Sequence, residues 1–390
     1  MMLKVGIIYQ SEFGGTNVLL GKLSHWMSCN NIDVIDIEEA KKNKILLDYI
    51  ILPTSEISSI FPYLLQGLKF KDYIIWSMGH GAFRASFINE RMIKKSKIIG
   101  VAFRVIIFVV DLFLRKILET KRIIFTDYVG LSHDVGNIGS YEKYQGLVFP
   151  IVVERSNLIH QKKMPLRFGW VGRIDNDFKV GPLISLLQDL NRLHREGVIY
   201  VNQFSIIGDG NAMELVKDEI KTLSFSIELL GIIPNNKLSG EINNKIDVLF
   251  AMGTSVLEGA KITLPSIIVN PFSLGASEQS GYRWVYDSIG YSLGEFSLGD
   301  VYPIQRKAKL DIILNELVQF GYDYHSNKSH KYVESFYPET VFEALSQLIN
   351  GKRHRVGYAE QLLFFSSFTF QATKTLMKRL KKKEPNHDYE

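Results

Sequence analysis

Short apolar runs alternate with helical patterns along both halves of the chain, and this alternation constrains the fold more than any other feature. The first half contains the strand-like runs KVGIIY, IDVIDI, YIILP, YIIWSMG and RIIFTD, at residues 4–9, 32–37, 49–53, 73–79 and 122–127. The second half contains RFGWVGRI, QFSIIGDG, SIELLGII, IDVLFAMG and PSIIVNP, at residues 167–174, 203–210, 226–233, 246–253 and 265–271. Strands that alternate with helices indicate βαβ units and a parallel sheet. We therefore expect an α/β protein with two Rossmann-like domains facing a cleft.

The length of the chain supports this division, because 390 residues exceed what a single ordinary core accommodates. We place an N-terminal domain at residues 1–160 and a second α/β domain at residues 161–350. Residues 351–390 are predicted to form a helical segment with a basic tail. Ligands of open parallel sheets bind beyond the carboxyl ends of the strands, where the glycine-rich turns of this sequence fall.

The composition is that of a folded globular protein, with 46% apolar and 22% charged residues. Cys29 is the single cysteine, which excludes a disulfide framework and suits a reducing compartment. The first residues lack the features of a secretory signal. Residues 98–118 are the best candidate for a membrane span, but four charged side chains interrupt them. We expect a cytoplasmic protein.

Two basic stretches stand out against the small net charge of +5. Residues 91–122 contain nine Lys/Arg and two acids within an apolar run, and residues 371–383 contain six basic side chains and no acid. Such stretches lie on anionic lipid or form solvated helix faces. A nucleic-acid partner is not expected, because no recognised nucleic-acid module is present. Peripheral attachment to the inner face of the cell membrane remains open.

The turn and helix of residues 251–265, AMGTSVLEGAKITLP, form the most informative segment. Gly253 permits a close backbone approach, and Thr254 or Ser255 can cap the helix that follows. A helix N-terminus with unpaired N–H groups suits a diphosphate, and Glu258 in the first turn suits a ribose diol. The alternative is an ordinary capped helix whose early glutamate complements the dipole.

Two further segments have weak signals of their own. In WVGRIDNDFK a strand is predicted to end at Arg173, and Lys179 follows six residues later; two such cations suit a leaving diphosphate or simply a solvated edge. In IIGDGN a strand runs into the turn at Gly208.

The order of these segments resembles family 4 of the GT-B glycosyltransferases. The matching residues are Val171, Gly172, Arg173, Lys179, Gly208, Asp209, Gly210, Leu230, Gly231, Ile232, Asp247, Val248, Glu258 and Pro265. The resemblance covers residues 166–270 well and the remainder only by architecture. It implies a divergent branch of the bacterial surface-polysaccharide type, with an acceptor domain first, a nucleotide-sugar domain second and C-terminal helices that return to the first domain.

The resemblance also implies a role for each matching residue. Arg173 and Lys179 would hold the donor phosphates, Glu258 the ribose, and Thr254 and Ser255, after Gly253, the diphosphate. Gly208 would belong to the donor site, and Ile232 and Ile233 would border the base. In the first domain Gly14 and Gly15 match the family's glycine loop, and His80 lies where the family often has a sugar-contacting histidine.

The implied activity is transfer of a sugar from a nucleotide-diphosphate sugar to a glycan or lipid-linked acceptor, with retention and without a metal. A UDP-sugar is favoured over a GDP-sugar through the family alone, and no bound cofactor is expected. One departure concerns the sugar, since Phe250 stands where the family has a first glutamate, eight residues before Glu258. Another is that Lys179 lies one residue further from Arg173 than is usual.

Two alternatives stay open, a sugar-nucleotide epimerase and a non-catalytic member that binds glycans or partners. An epimerase would need additional acid/base groups, and we identify no convincing set in the sequence. His133 and Asp134 form either a polar pair in the cleft or the cap of a turn. No His/Cys spacing predicts a zinc site, and neither a GxSxG elbow nor a Walker motif is present.

Overall fold

The computed structural model describes residues 2–10, 15–79, 81–87, 97–136, 139–273, 281–295, 304–349 and 357–381. The chain forms two compact units, one made of residues 1–151 and 342–390 and the other of residues 152–341. Each unit contains its own sheet with helices along the chain between strands. The predicted α/β fold with two parallel-sheet domains is confirmed.

The first unit contains a five-stranded parallel sheet of order β2-β1-β3-β4-β5. Its strands are β1 (Leu3–Ile7), β2 (Ile32–Ile35), β3 (Leu46–Pro53), β4 (Lys69–Ser77) and β5 (Ile123–Phe125). Its helices up to residue 151 are α1 (Gly15–Cys29), α2 (Ile37–Lys42), α3 (Ile57–Leu65), α4 (Ala82–Ala85), α5 (Lys97–Glu119) and α6 (Tyr128–Val135). Strands β3 and β4 lie in the middle of the sheet and are almost wholly buried, as their apolar runs predict.

The strand predicted at residues 32–37 ends earlier, at Ile35. Asp36 is the reason, because its Oδ1 accepts the backbone N–H groups of Glu38 and Glu39 at 2.8 and 3.0 Å. A side chain that satisfies two amides at a helix start favours helix over strand from that point. The apolar Ile37 therefore belongs to α2, where it is buried.

The second unit contains a six-stranded sheet of order β11-β10-β9-β6-β7-β8. Its strands are β6 (Phe168–Val171), β7 (Gln203–Ile207), β8 (Ser226–Gly231), β9 (Val248–Ala251), β10 (Ser266–Val269) and β11 (Tyr282–Trp284). The helices that begin in it are α7 (Val180–Arg195), α8 (Met213–Ile220), α9 (Asn235–Lys245), α10 (Ser255–Ala260), α11 (Leu310–Phe320), α12 (Tyr322–Val333) and α13 (Pro338–Ile349). Strands β6 to β10 are parallel.

Strand β11 is antiparallel to β10 and was not predicted from the sequence. It lies in the glycine- and aromatic-rich stretch after residue 275, where no periodic pattern is visible. Three residues are too few to show an alternation, although Tyr282, Arg283 and Trp284 are all buried.

The last helix, α14 (Tyr358–Lys381), belongs to the first unit. Its Phe364 packs edge-on against Tyr73 of β4, with ring centroids 5.3 Å apart, and Phe365 packs in the same manner against Phe61 of α3 at 4.9 Å. Its buried Glu360 pairs with Arg122, which also binds Asp72 at 2.7 Å. The predicted return of the C-terminal helix to the first domain is confirmed. Within the described residues, no helix is long and apolar enough to span a membrane.

Candidate functional site

The sheet of the second unit has its topological switch point between β6 and β9. The chain proceeds from β6 to β7 and β8 on one side, then crosses to β9 and β10 on the other. Val171 at the end of β6 lies opposite Ala251 at the end of β9. The segments after these residues, which carry Arg173 and Gly253, therefore leave the sheet side by side. In open α/β sheets this crevice is where ligands bind.

Arg173 and Lys179 lie near each other at this edge of the sheet. Strand β6 ends at Val171, so the prediction that it ends at Arg173 is wrong; Gly172 already departs into the loop. The Arg173 side chain is 68% exposed and pairs with Asp175 at 2.9 Å. Lys179 precedes the first residue of α7 and is half-buried, and burial, followed by the nearby Arg173 charge, lowers its pKa. Two cations at the mouth of a sheet create an electrostatic preference for an anion.

The two glycine turns after β6 and β7 pack directly against each other. Gly208 has φ 142°, and a Cβ on it would lie 1.9 Å from the carbonyl oxygen of Gly172. The amide of Ile174 donates to the carbonyl of Asp209 at 3.0 Å, and the amide of Gly172 donates to that of Ile207 at 3.0 Å. Packing between the loops thus accounts for the glycine at position 208, and its contact with a nucleotide stays a prediction.

Ile232 and Ile233 follow β8, the edge strand furthest from the switch point on the β7 side. Ile232 is 78% exposed, and Gly231 before it has φ 63°. The structure therefore places their backbone at the same edge of the sheet as Arg173, two strands away.

Gly253 makes the turn from β9 into α10 in the left-handed conformation, with φ 61°. Its own amide is already used, because it donates to the carbonyl of Leu293 at 2.8 Å. Thr254 occupies the N-cap position but makes no side-chain capping bond, so the predicted cap is wrong. The physical reason is its helical backbone, φ −62° and ψ −23°, since a capping side chain requires an extended residue. Ser255 is the first residue of α10.

Glu258 lies in the first turn of α10, as predicted, and is paired with Lys261 at 2.5 Å. Both side chains are largely buried, at 23% and 11% exposure. Lys261 contacts Oε2 of Glu258, which lies at the same edge of the sheet as Gly253.

Phe250 is a core residue and does not occupy the place of a glutamate on a loop. It lies within β9 with no exposed surface and packs against Phe168, Phe204 and Tyr282. Counting eight residues back from Glu258 therefore reaches a buried strand residue and not a loop.

Asp247, a landmark of the resemblance, lies at the opposite edge of the sheet, before β9 begins. Its carboxylate accepts from His160 Nε2 at 2.8 Å, from Arg167 Nε at 2.7 Å and from the amide of Lys163 at 3.0 Å. Its pKa is held below the usual range, because these hydrogen bonds outweigh the effect of burial. Asp247 therefore anchors the chain entering β6 and is remote from the proposed donor edge.

In the first unit the candidates are only partly described. Gly15 begins α1, whose Asn17 exchanges two hydrogen bonds with the backbone of Gln10 after β1, while Gly14 and His80 lie outside the described residues. The switch point of this sheet lies between β1 and β3, and Gln10 after β1 donates to Ser55 after β3 at 2.7 Å. Gly15 thus stands next to this sheet's switch point.

His133 and Asp134 hold the turn after β4. Asp134 is fully buried, receives the amides of Phe83 and Arg84 and lies 3.4 Å from Ser77 Oγ. Burial raises its pKa to about 6. The His133 ring covers Gly81, on which a Cβ would lie 2.9 Å from Cε1. These contacts favour the interpretation that His133 and Asp134 cap a turn over the alternative of a polar pair in the cleft.

A buried polar cluster beside the Gly253 turn was not predicted from the sequence. Arg283 on β11 and Glu295 are both buried and form a bidentate pair, at 3.0 and 2.9 Å. Nothing in the sequence pairs them, since an arginine in a three-residue strand and a glutamate in a glycine-rich stretch both suggest solvated positions.

Comparison with known proteins yields structural matches. No family model and no curated protein sequence matches the chain. The apo form of the lipopolysaccharide outer core galactosyltransferase WaaB matches with TM-score 0.53 and 14% identity, over 90% of this chain and 99% of that one. The chain has the GT-B fold.

Two further solved structures are similar at lower scores. S. aureus TarM, solved with fondaparinux, α-GlcNAc-glycerol and UDP, has TM-score 0.45 and 12% identity over 78% of this chain and 55% of that one. An α-glucosyltransferase solved with UDP and a 13-mer DNA has TM-score 0.47 and 10% identity over 90% and 100%. At these identities the likeness concerns the fold alone, so the activity depends on the site.

Proposed function

We propose that the protein is a glycosyltransferase that moves a sugar from a nucleotide-diphosphate sugar to a glycan or a lipid-linked acceptor. The observation that carries this proposal is the pair Arg173 and Lys179 at the switch point between β6 and β9. Burial and the neighbouring Arg173 disfavour the charged form of Lys179, while Asp177 and Asp175 offset part of this effect, and a bound diphosphate would stabilise both cations further. In our proposal residues 161–350 bind the donor and residues 1–160 the acceptor, while Gly14 and Gly15 keep the donor-binding role and His80 the sugar-contacting role that the resemblance implies.

The chemistry of the site suits departure of a diphosphate. As the bond from the sugar to the phosphate breaks, negative charge grows on the leaving oxygen, and fixed cations stabilise it most where water is excluded. Arg173 provides a planar, permanently charged group, and Lys179 provides a compact charged group on a more buried side chain. Two such side chains supply the charge that a divalent metal would otherwise supply, which supports metal-independent transfer.

The remaining donor contacts follow the order of the strands along the sheet edge. Glu258, paired with Lys261, would accept the ribose hydroxyl groups, and the backbone at Ile232 and Ile233 would border the base. The turn at Thr254 and Ser255 would face the diphosphate with backbone amides. UDP is the nucleotide that the family resemblance favours, with GDP as the alternative, and retention of the anomeric configuration has the same source. WaaB, with the same fold, is a lipopolysaccharide galactosyltransferase, which supports a role in bacterial surface polysaccharide synthesis.

A thermal-shift screen against UDP, GDP, CMP and dTDP sugars tests the proposal, because a ligand that binds the folded state raises its stability. We expect one nucleotide class to raise the unfolding temperature, with turnover that EDTA leaves unchanged. Arg173→Ala and Glu258→Ala should reduce both, while Lys221→Ala, on the exposed end of α8, should reduce neither. No shift with any nucleotide contradicts the proposal, and binding without turnover favours the non-catalytic alternative.

We also propose that helix α5 places the enzyme on an anionic membrane, where a lipid-linked acceptor is presented. Its outer face exposes Phe108 (62%), Val109 (48%) and Leu112 (48%), followed by the exposed cations Arg115 and Lys116. An apolar face bordered by cations matches the boundary between acyl chains and anionic headgroups. The basic residues of 371–383 would add electrostatic attraction.

Flotation with anionic liposomes tests the membrane proposal. Replacing Phe108 and Leu112 together by Ser should abolish flotation, and deleting residues 371–390 should weaken it. Val318→Ser is the matched control, since this apolar side chain is 84% exposed on α11 of the other unit. Flotation that is equal for all three variants and the wild type, or absent in the wild type, contradicts docking through α5.

A further inference from the structure

Arg283 is a buried charge of the second unit, outside the proposed site, whose guanidinium is surrounded by hydrogen-bond acceptors. Its guanidinium donates to Asn270 Oδ1 at 2.9 Å, to both carboxylate oxygens of Glu295 and to Ser288 Oγ at 3.0 Å. Ser292 adds its carbonyl at 3.3 Å and donates its hydroxyl to Glu295 at 2.7 Å. A buried ion pair repays its desolvation only when its hydrogen bonds are nearly complete, as they are here.

All these partners except Asn270 lie on one segment, residues 288–295. The segment has an unusual backbone, with Gly290, Tyr291 and Gly294 at φ 65°, 66° and 123°. A tyrosine in the left-handed region is strained, and such a residue persists only where its surroundings fix it. Its ring packs edge-on against Phe336, with centroids 5.5 Å apart. The segment is therefore held in one conformation by Arg283 from within.

The same segment touches the proposed diphosphate turn through the backbone. The carbonyl of Leu293 accepts the amide of Gly253 at 2.8 Å. Leu293 lies between Ser292 and Glu295, the two residues that Arg283 grips. The position of the Gly253 turn at the switch point thus depends on where Arg283 holds this segment.

We propose that Arg283 and Glu295 are positioning residues of the donor site: they fix residues 288–295 against Gly253 and so set the distance between the turn at Thr254 and the cations Arg173 and Lys179. This inference rests on the proposed function. Because its charge is neutralised by Arg283, Glu295 acts on the donor through the turn and does not replace the sugar-contacting glutamate of the family.

The expected consequence is selective for the donor. A displacement of the order of 1 Å at a group that holds a substrate reduces turnover by up to about a hundredfold. Loosening residues 288–295 should therefore raise the donor KM and the Kd of UDP, and lower kcat, while the acceptor KM stays unchanged. A purely structural role would lower the unfolding temperature and leave the Kd of UDP unchanged.

The test compares Arg283→Met and Glu295→Gln with Asp247→Asn in the full chain. Asp247 is the matched control, because it is an equally buried charge paired with an arginine, at the opposite edge of the same sheet. Each folded variant is measured for the Kd of UDP by calorimetry and for donor and acceptor KM. Glu295→Gln keeps the shape of the side chain and one accepting oxygen, a smaller change than Arg283→Met, and so remains informative if Arg283→Met does not fold.

We expect at least about tenfold weaker UDP binding in Arg283→Met, a smaller loss in Glu295→Gln and none in Asp247→Asn. A lower unfolding temperature in all three with unchanged Kd and donor KM overturns the positioning role alone. A wild-type protein that binds no nucleotide sugar overturns the proposed function, and the positioning role with it.

Discussion

Replacing Lys179 by methionine tests two effects of this lysine separately, its cost to the stability of the ligand-free protein and its contribution to UDP binding. Methionine keeps most of the side-chain volume and removes the charge. Burial and the Arg173 charge lower the pKa of Lys179 below 10.5, so the unfolded chain binds this proton more tightly than the folded protein does. The charged lysine therefore costs stability at neutral pH, and this cost fades as the pH rises through the folded pKa.

The two effects of Lys179→Met have opposite signs. The free energy of unfolding of the ligand-free protein should rise by at most about 1 kcal/mol, because solvent screens a half-buried charge. UDP binding should weaken, since a hydrogen bond to a charged group contributes about 1.5–3 kcal/mol. That loss corresponds to about a 10- to 150-fold higher Kd.

Urea unfolding and calorimetric titration with UDP, both at neutral pH, measure the two effects. Lys221→Met is the control, because Lys221 is an exposed lysine directly after α8 and is paired with Asp218 at 2.7 Å. The control should leave the Kd of UDP unchanged. A Lys179→Met protein that is less stable than the wild type and binds UDP equally well would refute the assignment of this lysine to the donor phosphates.

Three further substitutions test separate parts of the account. As the pH rises from about 4 to 7, the stability of Asp134→Asn relative to the wild type should increase by about 3 kcal/mol in urea titrations. The reason is that the folded pKa of about 6 lies above 3.8, so the wild-type protein loses stability as this carboxyl group ionises. A stability difference that does not change with pH contradicts the burial of this group. Asp247→Ala should lower the free energy of unfolding by about 3–5 kcal/mol, since His160 and Arg167 lose their partner, without changing the Kd of UDP. Weaker UDP binding would mean that the amino edge of the sheet, where β6 and β9 begin, contributes to the site. Gly208→Ala should cost about 3 kcal/mol or more, measured by chemical unfolding, because the new methyl group meets the Gly172 carbonyl at 1.9 Å; a wild-type stability would contradict the packing of the two loops.

The sequence predicted the fold where strands are long and apolar. The runs that became β1, β3 and β4, and those that became β6, β9 and β10, are mainly apolar segments between turns, which is the signal of a buried strand. The ends of these strands were less predictable. The strand at residues 32–37 stops at a capping aspartate, and the strand predicted to reach Arg173 stops at Val171, because a glycine follows and the chain turns.

The candidate site was predictable only as an order of residues along the chain. Arg173, Gly253 and Glu258 were found because their strands are neighbours in a known topology. Leu293, whose carbonyl accepts the amide of Gly253, was not found, since it is 40 residues away in the sequence and only the three-dimensional fold brings the two together. The expected capping by Thr254 failed for the same reason, as the backbone angle that decides it is set by the packing around the turn.

Hydrogen exchange with and without UDP tests the central claim most directly, because it locates the ligand on the sheet without altering any residue. We predict slower exchange in the segments that follow β6, β8 and β9, namely residues 172–180, 231–235 and 252–258. The amino edge around Lys163 and Asp247 should exchange at the same rate in both states. Protection at that edge, or no change in any of the three segments at saturating UDP, would contradict a donor site at the switch point between β6 and β9.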